Sequence, residues 1–459
     1  MNRNKEIQLK KLFTGGLVVT MDDDRRVFSD GAVAVEDGII TEVGPAKNLS
    51  CQEFEEVHRV EGKILMPGLV NTHVHLSQQL ARGIGDDVDL MTWLLDRIWP
   101  YETSMTEEDS YYSSLLCGLE LIRSGVTSFV EAGGQYVESM ARAVRELGIK
   151  GVLAKSVMDC GDGPEGMIEE TSDCIDFQRN LIEKWHGSAS GRIRVWPALR
   201  TIFNCSDELF IETDKLADTY DVGIHAHVAE IEDEIEFSKE TRGASTVTHL
   251  DDLGVLSPRF LAAHSVWLTD DEVSLFAENG VSVTHNPAAA MRVLGFAKIP
   301  EMVERGVNVA IGTDGAPSNN RMNMLSEMYL TGLIHKGNKL DPEVLPAERV
   351  LEMATINGAR AALDDVNTGS LEEGKEADIL VLNPETPNLL PLNDPISNLV
   401  YSVNTTNVES VLVRGEYVMK YGDILTVDEE EVISKAKRHA VDLVERAGIE
   451  LKPRFNHVN

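Results

Sequence analysis

The chain has 459 residues, 42% of them hydrophobic, and a formal net charge of -34 at pH 7. That length suits one large α/β unit of about 250 residues or more with an accessory domain. A chain this acidic is repelled by nucleic acid and by anionic membranes over most directions of approach, so neither is expected as a partner.

No stretch reaches the roughly 20 uninterrupted apolar residues of a membrane helix. Met1-Asn2-Arg3-Asn4-Lys5 leads into no apolar signal core, so a cytoplasmic protein is expected. Cys51, Cys117, Cys160, Cys174 and Cys205 are odd in number and form no Cys-x-x-Cys pair, which indicates neither a disulfide framework nor a structural zinc site. They read as reduced, buried small hydrophobes.

Residues 1–65 carry short alternating runs at 17–20, 31–35 and 39–43, with Asp37-Gly38 as a hairpin signal. The same texture returns at 377–382, 408–416 and 417–419. A lone pair of strands is marginal, so the two end segments, 1–65 and 369–428, are expected to form one small β-sandwich. A helix over 429–447 and a tail to residue 459 close the chain.

Between them, in residues 66–368, strand and helix alternate. A Pro-Gly turn and the apolar run Leu69-Val70-Asn71-Thr72 lead to His73 and His75, which alternation puts on one face of a strand. Helices are predicted over 104–124, capped by Ser104, and over 137–147, 165–185 and 207–220. The remaining strands are predicted at 126–130, 151–157, 193–199, 222–228, 260–266, 281–285 and 307–312. Eight strands with helices between them predict a TIM-like (β/α)8 barrel, whose sites are built at the C-terminal strand ends.

Five of those ends carry His or Asp: His73 and His75 on strand one, His225 and His227 on strand five, His264 on six, His285 on seven and Asp314 on eight. So many metal-type ligands at one rim argue for a metal. Three imidazoles and a carboxylate suit one Zn2+ or Fe2+ with a position open to water. Either strand-five histidine could be the ligand. The His-x-x-Glu spacing favours His227, leaving His225 behind it, and offers Glu230 as general base. His264 and Asp314 are placed to orient the water and pass a second proton. His285 reads equally as a structural hydrogen-bonder or a substrate contact. Lys155 and Arg200 read as substrate-facing cations or as ion-pair partners. His58, His186, His249, His335, His439 and His457 read as surface or helix-end residues.

Across nearly its whole length the chain resembles the amidohydrolase superfamily, and within it the aminohydrolases that include 5-methylthioadenosine/S-adenosylhomocysteine deaminases and s-triazine hydrolases. The resemblance lies in Pro67 to His75, in His227 to Glu230, in Ala263-His264, in Gly312-Thr313-Asp314-Gly315-Ala316-Pro317-Ser318-Asn319-Asn320 and in Gly369 to Asp378. It implies one divalent metal on His73, His75, His227 and Asp314, with Glu230 and His264 in proton transfer. Relatives with two metals end strand four in a lysine where Arg200 stands here. It also implies that Trp93 and Glu102 contact a nucleoside, Glu102 through the ribose hydroxyls, and that the chain assembles as a homodimer or homotetramer. The family's strand-three arginine is Lys155 here, its strand-four histidine is Arg200, its carboxylate-binding arginine is Met167, and Ala288-Ala289-Ala290 replaces its Ser-Asn pair.

The expected activity is therefore hydrolytic release of ammonia from an amino-substituted nitrogen heterocycle, first an adenosine-type nucleoside such as 5-methylthioadenosine. Trp93, Glu102, Lys155 and Arg200 are the expected substrate contacts. The alternative substrate is a base-like ring, whether s-triazine, pterin, guanine or cytosine-like, losing an amine or chloride. A metal-free scaffold is the alternative from a different class.

Overall fold

A computed structural model describes residues 10–164 and 166–451. The expected start of a helix at Glu165, the tail and His457 lie outside the described residues.

The end segments pair into one nine-stranded sheet. Its order runs Asp423–Ile424, Glu416–Lys420, Val408–Val413, Ile379–Leu382, Ile64–Pro67, Lys10–Val19, Val27–Glu36, Ile39–Pro45, with Glu56–Arg59 also on Lys10–Val19. Ile64–Pro67 is the hinge of this arrangement, pairing antiparallel with Ile379–Leu382 and parallel with Leu17 and Val18. Phe13, Val33, Ile40, Leu65, Ile379 and Leu412, all fully buried, form a core on one face. The chain leaves the sheet through Pro67-Gly68, where a Cβ on Gly68 would lie 2.0 Å from the Thr127 hydroxyl, so only glycine lets the two backbones approach.

Eight parallel strands follow: β1 Leu69–Val74, β2 Val126–Glu131, β3 in two pieces (Lys150–Leu153 and Ser156–Val157), β4 likewise (Ile193–Val195 and Ala198–Leu199), β5 Ile224–Val228, β6 Phe260–His264, β7 Ser282–His285 and β8 Asn308–Ile311. They are nearly all apolar or buried, as strands covered on both faces must be. One sheet joins β1 to β4 and a second joins β3 to β8, each in sequence order, with β3 and β4 shared between them. A parallel bridge from Val74 to Asp314 ties β1 to the segment after β8. The breaks in β3 and β4 were not expected; in β4 the break falls at Pro197, which has no N–H for a ladder.

Helices at Val137–Leu147 and Asp207–Tyr220 lie where periodicity placed them. The helix expected from Ser104 instead starts at Glu107, because Thr106 and Asp109 form a reciprocal capping box, while Ser104 ends a separate helix, Trp99–Ser104. The helix expected from residue 165 is observed over Thr171–Trp185. Beneath the strands, Lys150 is buried against Asp364, Glu376 and Asp378 at 3.0, 2.6 and 3.1 Å, joining β3 to the segment that returns to the nine-stranded sheet.

The last helix, Glu429–Arg446, packs on Glu107–Arg123. His439 Nδ1 lies 2.7 Å from Asp109 and stacks on Tyr112, and Leu443 is buried with Leu80, Ile98 and Tyr101. Two expectations are corrected. Cys51 is exposed and Cys160 half-buried rather than buried. His335 and His249 are buried, the first against His285 and the second against Asp207.

Candidate metal centre and cavity

The residues expected at the rim converge. His73 and His75 end β1, His227 lies on β5, His264 ends β6 and Asp314 follows β8. Ligand atoms of His73, His227 and His264 lie within 4.8 Å of one another, as do those of His73, His75 and Asp314. His264 thus stands as near as the four expected ligands. Asp314 Oδ1 is 3.4 Å from His73 Nε2 and 3.5 Å from His75 Nε2. Ala229, His264 and Asp314 all take left-handed backbone (φ 51, 68 and 63), a strain that non-glycine residues bear mainly at functional sites.

Three of the rings are held from behind. His227 Nδ1 donates to the Arg200 carbonyl at 3.0 Å, leaving Nε2 to face the cluster. His73 Nδ1 meets His225 Nε2 at 2.9 Å, so His225 is a buried support for His73. Asn286 Nδ2 donates to His264 Nδ1 at 3.1 Å, which puts the His264 proton on Nε2, 3.7 Å from Glu230 Oε1. Burial, together with neighbouring imidazoles, holds His73, His75 and His227 well below the usual histidine range, which favours the neutral form of each. His73 Nε2 and His75 Nδ1 are buried without a hydrogen-bond partner. Neutral imidazoles with an orphaned nitrogen beside a carboxylate fit a divalent ion, since an unsatisfied buried nitrogen is costly unless something binds it.

Burial pushes the Glu230 carboxyl above its usual range, opposed by His264. Its backbone is fixed by Glu234, whose carboxylate accepts from the Ala229 and Glu230 amides at 2.8 and 2.9 Å. Glu234 is fully buried, with its pKa pushed up to about 7, mainly by desolvation. On the other side, Glu327 accepts from the Ala288 amide at 3.1 Å and from Asn319 at 2.9 Å, and Asn319 also donates to the Thr313 carbonyl at 2.7 Å, bracing the turn that carries Asp314. Neither Glu234 nor Glu327 was singled out from the sequence. Their spacing was a usable signal: Glu327 falls on the buried stripe of Met324, Met328, Thr331 and His335, and Glu234 sits in the first turn of Glu232–Arg242.

A cavity of about 660 Å³ opens over the cluster. Trp93 and Arg200 line it. Glu102 does not. It is buried behind Gln78, which donates to its Oε1 at 2.9 Å, while its Oε2 has no hydrogen-bond partner and lies 3.7 Å from the Arg200 guanidinium. Lys155 also lies outside the lining, paired with Glu169 at 3.2 Å and over the Phe177 ring. His285 is buried away from the cavity, its Nε2 at 3.1 Å from His335 Nε2.

A sequence model described as the amidohydrolase family matches residues 64–418. A 5'-deoxyadenosine deaminase of Methanothermobacter thermautotrophicus is 41% identical over 433 residues, 94% of this chain and 98% of that protein. A 5-methylthioadenosine/S-adenosylhomocysteine deaminase of Syntrophomonas wolfei is 38% identical over 431 residues, covering 93% and 97%. Among solved structures, an adenosine deaminase from Xanthomonas campestris with bound zinc superposes with a TM-score of 0.90 at 28% identity, over 95% of this chain and 99% of that one. An atrazine chlorohydrolase from Arthrobacter aurescens complexed with zinc superposes with a TM-score of 0.88 at 25% identity, over 94% and 100%.

Proposed function

This chain belongs to the amidohydrolase family, and from that premise we propose that it is a metal-dependent aminohydrolase that releases ammonia from the ring of an adenosine-type nucleoside. One observation carries the reading most: the orphaned His73 Nε2 faces Asp314 beside His227, His264 and Glu230, at the floor of a cavity large enough for a nucleoside. The names of the relatives support the adenine nucleoside as substrate class.

In this reading His73, His75, His227 and Asp314 hold one divalent ion, Zn2+ before Fe2+. Bound there, the ion lowers the pKa of water toward about 7 and so supplies a nucleophile at neutral pH. The chain's own residues do the rest. Glu230 takes a proton from the attacking water and gives it to the ring nitrogen next to the C–NH2 carbon. His264, its proton fixed on Nε2 by Asn286, orients the water, and Asp314 accepts the second proton, which leaves with ammonia. Trp93 offers an aromatic face to the heterocycle and Arg200 lies at the cavity wall; Glu102 reaches the ribose hydroxyls only if Gln78 swings aside, and Lys155 acts only if its pair with Glu169 opens.

Among the described lining residues the cations are Arg200 and Arg292, and each already faces a carboxylate. No spare cation awaits a phosphate, so uncharged nucleosides are favoured over nucleotides. We also read β1 to β8 as one closed (β/α)8 barrel over 66–368, supported by the shared β3 and β4 and by the Val74–Asp314 bridge, with segments 1–65 and 369–428 as a two-layered β-sandwich and 429–459 as a terminal helix and tail. The chain is read as cytoplasmic and as a homodimer or homotetramer; no helix among the described residues is long and apolar enough to cross a membrane.

A second reading, a base-like heterocycle, is favoured by the burial of Glu102 behind Gln78. An ammonia-release screen separates the two. The nucleoside reading predicts turnover of 5'-deoxyadenosine, 5-methylthioadenosine or adenosine, little of AMP, and a KM on the nucleoside raised about tenfold or more by Glu102→Ala. Turnover confined to aminotriazines, pterins or free bases, indifferent to Glu102→Ala, would move the substrate to the second reading.

A further inference from the structure

Arg292 stands in a π-helical turn, Ala290–Leu294, that follows β7 and lines the cavity mouth. Its hydrogen bonds go to rim loops rather than to the centre. The guanidinium donates to Asp86 Oδ1 at 2.5 Å, in the loop after β1, and to the Ser318 and Pro317 carbonyls at 2.7 and 3.3 Å, in the short helix Ala316–Asn319 after β8. Asp86 Oδ1 also accepts from Asn320 Nδ2 at 2.7 Å, and the Gly83 amide donates to Asn320 Oδ1 at 2.9 Å. The Trp93 indole donates to the same Pro317 carbonyl at 3.4 Å. At Gly85 a Cβ would come within 2.4 Å of the indole, so the backbone lies directly on Trp93.

Segment 83–98 therefore lies over the cavity with polar ties at one end. Past Trp93 it continues as a second π-helical turn, Leu94–Ile98. Such turns are rare and concentrate at functional sites. Leu95 and Val293, one on each π turn, line the mouth and are 46% and 45% exposed, while Ile84 and Ile98 near the ends of the segment are buried, so apolar packing anchors the ends and leaves the stretch over the cavity to its polar ties. A planar guanidinium can reach a carboxylate and two carbonyls at once, which a lysine's point charge does with poorer geometry.

We propose that Arg292 is a positioning residue for substrate binding: by clamping Asp86 to the Pro317-Ser318 turn it fixes segment 83–98, and with it the Trp93 face, over the metal centre. The kinetic side of this inference rests on the nucleoside reading above; the structural side does not. Arg292 acts through Trp93 and leaves the proton steps to Glu230 and His264.

The test uses the metal-loaded enzyme and the variants Arg292→Met, Arg292→Lys and Asp86→Asn. Amide hydrogen exchange without substrate is read over 83–98 and over β5 to β7, and kcat and KM are read for ammonia release from 5'-deoxyadenosine. The clamp predicts faster exchange confined to 83–98 in Arg292→Met and Asp86→Asn. It also predicts a KM about tenfold higher or more with kcat within about threefold, and partial recovery in Arg292→Lys. Unchanged exchange in 83–98 would overturn it, as would a fall in kcat at unchanged KM, which would put Arg292 in the reaction itself. If the wild-type enzyme turns over no nucleoside, the substrate reading fails and the exchange measurement alone decides the clamp.

Discussion

Glu230, the proposed proton carrier, sits on a turn whose backbone is held by Glu234. Glu234 accepts both amides of the turn that presents it, an arrangement a glutamine cannot reproduce, because its amide nitrogen would face one of those N–H groups. Glu230→Gln is expected to lower kcat about 100-fold or more while metal content is kept. Glu234→Gln should lower kcat by about tenfold, again with metal retained. Loss of metal in either variant would mean that these carboxylates serve the ion rather than the proton. At this scale the clustering was legible: His73, His75, His227, Glu230, His264 and Asp314 come together as expected because parallel strands deliver their last residues to a common rim. Lys155 was less legible, since its partner Glu169 lies fourteen residues away on an irregular segment that sequence spacing does not place.

Among the elements, the helix Met324–Lys339 carries His335 inward onto His285 at the end of β7. His335 is buried rather than the surface or helix-end residue expected, because it continues the inward stripe of Met328 and Thr331. Burial lowers the His335 pKa to about 4 from an ordinary 6.5, and His285 lies well below its usual range, with burial the leading cause for each. Between pH 6.5 and 4 the unfolded chain therefore binds protons that the folded chain refuses. Stability from this pair is fully present above pH 6.5 and is lost as pH falls toward 4, by roughly 3 kcal/mol for His335. Denaturant unfolding across that range should show the slope, and His335→Gln should flatten it; an unchanged slope would place the acid sensitivity elsewhere. The helix at 137–147 was readable to the residue because its amphipathic stripe is strong, whereas the π turns at 94–98 and 290–294 and the breaks in β3 and β4 were not, since periodicity carries no mark of a local change in hydrogen-bond register.

For the molecule as a whole, the repeated strand texture suggested that both chain ends associate, as a small β-sandwich, while the single nine-stranded sheet they form was not legible, because register depends on partners hundreds of residues apart. The same scale governs the charge. A net of -34 is self-repelling in the compact state, and salt screens charges beyond about 8 Å at 0.15 M. The melting temperature is expected to rise by a few degrees as sodium chloride goes from about 0.02 to 0.5 M. A fall instead would mean that exposed pairs such as Lys184 with Glu138 outweigh the repulsion.

The claim on which the rest depends is that one ion, held by His73, His75, His227 and Asp314, is needed for ammonia release. Metal analysis of the purified protein, paired with ammonia release from 5'-deoxyadenosine before chelation, after it and after zinc is restored, tests it most directly. The account predicts about one ion per chain, activity lost on chelation and recovered with zinc, and less than a tenth of an ion in Asp314→Ala. Full activity in the chelated, metal-free protein, or a full complement of metal in Asp314→Ala, would contradict it.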